Sequence, residues 1–240
     1  MAFARRGRKT LLVDCDFEMR CLDLMLGVEN EVLYDLYDVV KGRAAFCKAL
    51  IRCEGSPELY FLAAPYHGGG ELEASELAAA FGTVFYEFDY VILDTPGTLV
   101  SPALLDSGLA DSAVIVASHQ PSSIRAADMT GEYLQANRIS EQRLLINSFD
   151  FEGALKGSRP GINEIIDKTC IQLCGIVPAE RELMLSAERG ELAYQSPKLA
   201  NCAAAFDNIA CRLMGRYVPL FSGFTGMRTK RQIRTLLGRI

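Results

Sequence analysis

The sequence predicts an α/β fold: a doubly wound, mostly parallel sheet covered by helices on both faces. Three observations carry this. Short apolar runs recur at residues 11–13, 90–93, 112–117, 143–146 and 171–177. These runs are mostly apolar, as strands buried on both faces are. They alternate with segments of helical length, such as 75–87, 121–136 and 198–216, and that alternation is the mark of a sheet wound in both directions.

At 240 residues and 50% hydrophobic, the chain can bury a sizeable core in one domain. A net charge of −5 gives no reason to expect general nucleic-acid binding. No apolar stretch reaches the roughly 18 residues of a membrane-crossing helix. The start, MAFARRGRKT, lacks the apolar centre of a signal peptide. Eight cysteines (15, 21, 47, 53, 170, 174, 202 and 211) contain no C-x-x-C pair and sit among apolar neighbours, as buried free thiols do. Cys170 and Cys174 have the spacing of one helix face, but no His or second pair completes a metal set. A reducing cytoplasm suits this cysteine usage.

In chain order, residues 1–8 read as the last turn of a helix with Gly7 as its C-cap. The strand at 10–14 runs into Asp14-Cys15-Asp16. Residues 33–40 and 44–51 read as short helices separated by Gly42, and 59–63 as a strand ending at Pro65. Residues 66–70 form a loop in which His67 is solvated. Ser75 N-caps a helix to about residue 87. The strand at 90–93 delivers Asp94, and a helix at 101–108 and a strand at 112–117 follow. After the helix to Ala136, the strand at 143–147 ends in Asn147. A Gly-rich loop (153–161), a helix (161–168) and a strand (171–177) lead to Pro178-Ala179-Glu180. Two helices, 181–188 and 198–216, complete this part of the chain.

Ligands of open α/β sheets bind beyond the carboxyl ends of the strands. Asp14, Asp16 and Asp94 all lie at such ends and together suggest a magnesium–phosphate site. A single D-x-D would be better explained as a loop cap.

The stretch from Asp14 through Arg20 to Leu24, D-x-D-x-x-x-R-x-L-D-L, resembles the switch I region of the MinD/ParA family of P-loop ATPases. Leu93-Asp94-Thr95-Pro96-Gly97 resembles that family's Walker B and switch II segment. The pattern P-x-S-x-R-x-x-D from Pro121 to Asp128 is similar too, although capping with an Arg125–Asp128 ion pair explains it equally well. The likeness is to the MinD branch and spans nearly the whole chain. It implies a P-loop NTPase-like fold, ATP and Mg2+ as cofactors, and ATP hydrolysis. It assigns Asp16 to the attacking water, Asp94 to the magnesium through a water, and Asp14 to the magnesium surroundings. Arg20, Pro96 and Gly97 become switch residues. Asn147 becomes the reader of the adenine edge, bordered by Pro178, Ala179 and Glu180. Glu18 stands where relatives often have Gly, and Cys21 where they often have Asn.

In that family a strand, a KGGxGKT loop and a helix precede the strand at 10–14. Here only the end of that helix has a counterpart, and G-x-x-x-x-G-K-[ST] occurs nowhere in the 240 residues. The phosphate-binding Lys, the magnesium-binding Ser/Thr and the cradle of amides go with it. The chain is either an N-terminally truncated sequence or a nucleotide-free relative. Truncation is favoured, because the loss opens the middle of a parallel sheet. Carboxylates facing one another without that cradle repel ATP, so this chain is expected not to hydrolyse it, while a longer parent would.

The last fourteen residues are the second informative stretch. Ile233, Leu236, Leu237 and Ile240 fall at i, i+3, i+4 and i+7. Arg228, Lys230, Arg231, Arg234 and Arg239 occupy much of the rest, with no acidic residue. This is the pattern of an interfacial membrane helix, and the resembled proteins end in one. The alternative is a basic helix packed on its own domain or bound to nucleic acid. Each basic residue near an anionic membrane contributes about 1 kcal/mol, and pairing two tails in a dimer adds avidity of ~100-fold or more.

The expectations are therefore an ATPase-type domain over 1–220, a flexible linker over 221–226 and a membrane-targeting helix over 227–240. The resemblance implies an ATP-bound homodimer, an activator of hydrolysis, a division-inhibitor partner, and a cytoplasmic protein peripheral on the inner face of the cell membrane. It also implies spatial regulation such as division-site placement. A ParA-type partition ATPase that binds DNA, and a non-catalytic scaffold that keeps the switch surfaces, are the alternatives. Whether the 240-residue chain is an enzyme is left open by the absent P-loop.

Overall fold

The computed structural model describes residues 1–66, 72–82, 84–97, 100–190, 194, 196–226 and 236. Met1–Ala110 with Ser186–Leu192 form one compact unit, and Asp111–Leu185 with Ala193–Ile240 a second.

In the first unit β1 (Thr10–Asp14) is central. It pairs in parallel with β3 (Leu59–Leu62) on one side and β4 (Tyr90–Asp94) on the other. A two-residue strand, β2 (Ile51–Arg52), adds an antiparallel edge to β3. Residues 44–51 were expected as one helix. The chain instead forms α3 (Phe46–Ala49) and turns extended at Leu50. Both faces of this sheet are covered. Leu11, Val13 and Leu62 pack with Leu36, Leu77 and Phe81 on one side. Leu59, Phe61 and Ala63 pack with Val28, Ile51 and Ala4 on the other. That two-sided burial explains why β1 reads as an unbroken apolar run.

The other elements of this unit follow the expected order with local shifts. The first turn is 3-10, Ala4–Arg6, closed by left-handed Gly7 at φ 70°. Next come α1 (Leu22–Leu26) and α2 (Leu36–Val40). The helix α4 (Ala74–Phe81) is N-capped at Glu73 rather than Ser75, with the Glu73 amide donating to Glu76 at 3.1 Å. It ends at Gly82, and residues 84–87 form a separate 3-10 turn. The short α5 (Pro102–Asp106) completes the helices here. Gly27 caps α1 at φ 68°, and a Cβ on facing Gly190 would come within 2.9 Å of its Cα, so this approach needs two glycines.

In the second unit β6 (Glu141–Phe149) lies between β5 (Ser112–Ala117) and β7 (Leu173–Pro178), all parallel. The helices are α6 (Pro121–Ala136), α7 (Phe151–Leu155), α8 (Ile162–Thr169), α9 (Arg181–Glu188) and α10 (Ala200–Leu213). Residues 153–161 were expected to be loop throughout. Asp150 instead accepts the Gly153 amide at 2.9 Å and starts α7. Cys170 caps α8 in the left-handed region at φ 53° and Cys174 lies in β7, so the two share no helix face. Cys21, Cys47 and Cys170 are exposed, while Cys15, Cys53, Cys174 and Cys202 are the buried thiols.

The segment 221–226, expected as a flexible linker, is pinned to its unit. Asn201 exchanges hydrogen bonds with the Thr225 backbone at 2.8 and 3.1 Å, and Asn208 donates to the Ser222 carbonyl at 2.8 Å. Phe221 packs edge-on against Phe151 and Phe224. Gly223 approaches α10, where a Cβ on it would lie 3.4 Å from Ala204 Cβ.

The described strands hydrogen-bond in the orders β2-β3-β1-β4 within the first unit and β5-β6-β7 within the second, mostly parallel as the sequence predicts. β4 and β5 are each the edge of their own sheet. Ile92 on β4 and Val114 and Val116 on β5 are exposed, although both strands read as buried in the sequence. No helix among the described residues is long and apolar enough to cross a membrane.

Candidate functional site

Parallel pairing sets Asp14 directly opposite Asp94 at the carboxyl ends of β1 and β4. The main chain joins them further, because the Cys15 amide donates to the Asp94 carbonyl at 2.8 Å. Asp14 is fully buried, and its carboxylate caps the following loop. Oδ1 accepts the Asp16 amide at 3.0 Å and Oδ2 the Leu22 amide at 3.4 Å. Burial pushes the Asp14 carboxyl above the ordinary carboxylate value, and these two hydrogen bonds pull against it. Asp94 keeps solvent access, yet the protein around it also pushes its carboxyl up, first by desolvation and then by the charges of Asp14 and Asp16.

Asp16 closes the turn after β1. Its Oδ1 accepts the amides of Glu18 and Met19 at 3.1 and 3.0 Å, and its carbonyl accepts the Arg20 amide at 3.0 Å. Arg20 adopts φ 38°, a left-handed conformation that disfavours a residue with a Cβ. Two groups hold it there. Its guanidinium meets the Asp23 carboxylate at 2.9 Å with both side chains largely buried, and it lies 4.9 Å from the Tyr66 ring centroid. Asp23 also accepts the Leu24 amide at 2.9 Å, which sets the first turn of α1. The loop joining β1 to α1 is therefore fixed by three aspartates and one arginine. The sequence identified Asp14, Asp16 and Arg20. Asp23 was missed, although its i, i+3 spacing from Arg20 is a visible signal.

Pro96 and Gly97 follow β4 on the same side as Asp94. In the second unit Asn147 is not at a strand end: β6 continues to Phe149 through an irregular pairing, with Ser148 at φ 51°. The Asn147 Oδ1 accepts the Ser148 amide at 2.9 Å. Pro178 ends β7, and Ala179 donates to the Phe149 carbonyl at 3.1 Å, so the tip of β7 is tied to the end of β6. His67 lies outside the described residues. So do Ile233, Leu237, Ile240, Arg228, Lys230, Arg231, Arg234 and Arg239. Leu236 is described, helical and buried.

Among the described residues no three His, Cys, Asp or Glu side chains converge as a metal-binding set. Mg2+ asks for less, because it takes one or two carboxylates and completes its shell with waters and phosphate oxygens. Asp14 and Asp94 fit that role. A triphosphate fits less well, since the chain contains no Gly-rich lysine loop to hold it.

A doubly covered parallel sheet with paired aspartates beyond its carboxyl ends places the chain in the class of α/β phosphate-site proteins. No protein-family model matches it. It is 31% identical over 240 residues to the septum site-determining protein MinD of Synechocystis sp., across 99% of this chain and 90% of that relative. Against a chain of the MinC:MinD cell division protein complex of Aquifex aeolicus, the TM-score is 0.83 at 29% identity, covering 91% and 88% of the two chains. The septum site-determining MinD of Pyrococcus horikoshii, solved with Mg-ADP, shares the fold with a TM-score of 0.75 at 20% identity over 88% and 86%. The chain belongs to the MinD family of septum site-determining proteins.

Proposed function

We propose that this chain acts in division-site placement as a MinD-type switch protein that cycles on and off the membrane. The observation that carries the reading is the register of Asp14 against Asp94, two carboxylates side by side at the carboxyl edge of a parallel sheet. In this reading ATP and Mg2+ are the ligands of the switch, and the 240 residues, which contain no lysine-bearing phosphate loop, do not themselves turn ATP over. Asp94 and Asp14 hold the metal surroundings, Asp16 orients water, and Arg20, Pro96 and Gly97 move with the bound state. Bound magnesium would neutralise phosphate charge. Asn147, Pro178, Ala179 and Glu180 border the base.

Residues 1–220 form the ATPase-type body in this reading, 221–226 the connection and 227–240 the membrane-binding tail. A homodimer formed with ATP, an activator and a division inhibitor are the partners, at the inner face of the cell membrane. The presence of MinC with MinD in the Aquifex aeolicus complex supports the inhibitor.

A second reading has its own support. Asp14 and Asp16 already spend carboxylate oxygens on backbone amides, and no phosphate loop occurs in the chain. Both facts suit a scaffold that keeps the switch surfaces without turnover.

Co-sedimentation with phosphatidylglycerol vesicles tests the membrane step. The chain is expected to pellet with them, and Leu236→Glu with Leu237→Glu to release it. Unchanged pelleting of that variant would remove the tail from the account.

A further inference from the structure

The loop that carries Asp16 and Arg20 ends against a distant part of the chain. Gly27 closes α1 at φ 68°. Gly190 closes the turn after α9 at φ 66°, its amide donating to the Ala187 carbonyl at 3.1 Å. Both glycines belong to the first unit. A Cβ on Gly190 would stand 2.9 Å from the Gly27 Cα, 3.2 Å from its nitrogen and 3.5 Å from the Leu24 carbonyl oxygen. Backbone meets backbone here, so neither side can yield by turning a side chain.

The loop is costly to hold in one conformation. α1 has five residues, too few for a helix to persist unaided. Met19, Leu24 and Met25 are exposed, and Arg20 keeps its left-handed φ of 38°. Leu22, Leu26 and Val28 pack inward. The remaining order converges on Asp23, which is itself buried. The Asp23 carbonyl accepts the Gly27 amide, and the Val28 amide at 2.9 Å. The Asp23 carboxylate accepts the Leu24 amide and meets the Arg20 guanidinium, both at 2.9 Å. Arg20 in turn donates its amide to the Asp16 carbonyl at 3.0 Å. A shift at Gly27 therefore reaches Asp16 through Asp23 and Arg20.

We propose that Gly190 is a positioning residue for the aspartate loop: the end of α9 seats the Gly27 cap and, through Asp23 and Arg20, holds Asp16 in place. When the end of α9 withdraws, residues 15–28 loosen while β1 keeps its pairing. Segments with few buried contacts open locally in this way. That Asp16 orients water rests on the function proposed above. The hold of Gly190 on the loop does not, so it can be measured whether or not nucleotide binds.

Amide hydrogen exchange of the full chain without nucleotide, read by mass spectrometry, is the test. In Gly190→Ala, residues 15–28 are expected to exchange at least about tenfold faster, as overpacking at a close approach produces, while β1, β3 and the second unit keep parental rates. Gly190→Asn should act in the same way, because asparagine tolerates the left-handed φ but brings the same Cβ. Gly42→Ala is the control. Gly42 also has φ 68°, nothing lies within 4 Å of a Cβ there, and 15–28 should exchange as in the parent. The parent in low urea gives a measurement that needs no variant: residues 15–28 and 186–190 should open together, with one urea dependence, and this decides the matter if the Gly190 variants do not fold. Parental exchange at 15–28 in a folded Gly190 variant, loosening confined to 186–190, uniform acceleration over the whole chain, or separate openings in the parent would each overturn the proposal.

Discussion

Asp14 and Asp94 stand side by side across the β1–β4 pair, and the main chain links Cys15 to Asp94 at 2.8 Å. Both carboxyls are held above their ordinary value, chiefly by burial. A carboxyl raised in the folded state binds protons more tightly folded than unfolded. Its contribution is therefore fully present below the unfolded value, about pH 3.9, and is lost as pH rises through the folded value. The pair is thus a liability at neutral pH. Asp94→Asn is predicted to raise the melting temperature at pH 7 and to flatten its fall above about pH 4. Thermal melts across that range check it, and an unchanged pH profile would sink the idea.

The Arg20–Asp23 pair should behave as a buried ion pair, with exposures of 12% and 6%. Removing one partner leaves the other charge buried and unpaired, at a cost of about 3–5 kcal/mol. Arg20→Met is predicted to lose stability in that range, and Arg20→Met with Asp23→Leu to recover much of it. Urea denaturation of the four proteins of the cycle measures the coupling. Additive losses would show that the two side chains do not act together.

Gly175 on β7 accepts Ile209 of α10 so closely that a Cβ there would meet Ile209 Cγ1 at 2.2 Å. Gly175→Ala is predicted to cost about 1–3 kcal/mol through overpacking. Ile209→Ala should be much less damaging in that background than in the parent, because it vacates the space the new methyl needs. A double-mutant cycle by denaturation decides this.

Much of the fold was legible because burial on both faces makes a strand an apolar run. Thr10–Asp14 could be placed from that signal, whereas Ser112–Ala117 shows the same apolar run although alternate residues of it are exposed. Ile51–Arg52 was missed because two residues carry no periodicity, and Phe151–Leu155 because its glycine-bearing sequence reads as loop until Asp150 caps it. In the site, the strand-end aspartates were visible as a pattern. Their engagement with backbone amides was not, since hydrogen bonding within a loop depends on φ and ψ rather than on spacing. The hydrogen bonds made by 221–226 were not legible for a similar reason. Small residues signal mobility or close approach, and only the partners Asn201 and Asn208 distinguish the two.

Val116 is 56% exposed on an edge strand whose sequence is almost wholly apolar. Such an edge invites pairing with other chains. Val116→Lys is predicted to lower concentration-dependent self-association by this route, because a charge on an edge strand opposes it. Sedimentation velocity at several concentrations checks this, and an unaltered distribution would point association elsewhere.

The central claim is that this chain carries the carboxylate half of a nucleotide site without the loop that holds phosphate. ATP turnover by the purified 240-residue chain with Mg2+ tests it most directly. The account predicts no phosphate release above the blank, with Asp16→Ala and Asp94→Ala indistinguishable from the parent. Turnover by the parent that either substitution abolishes would contradict it and would show that these aspartates work without that loop.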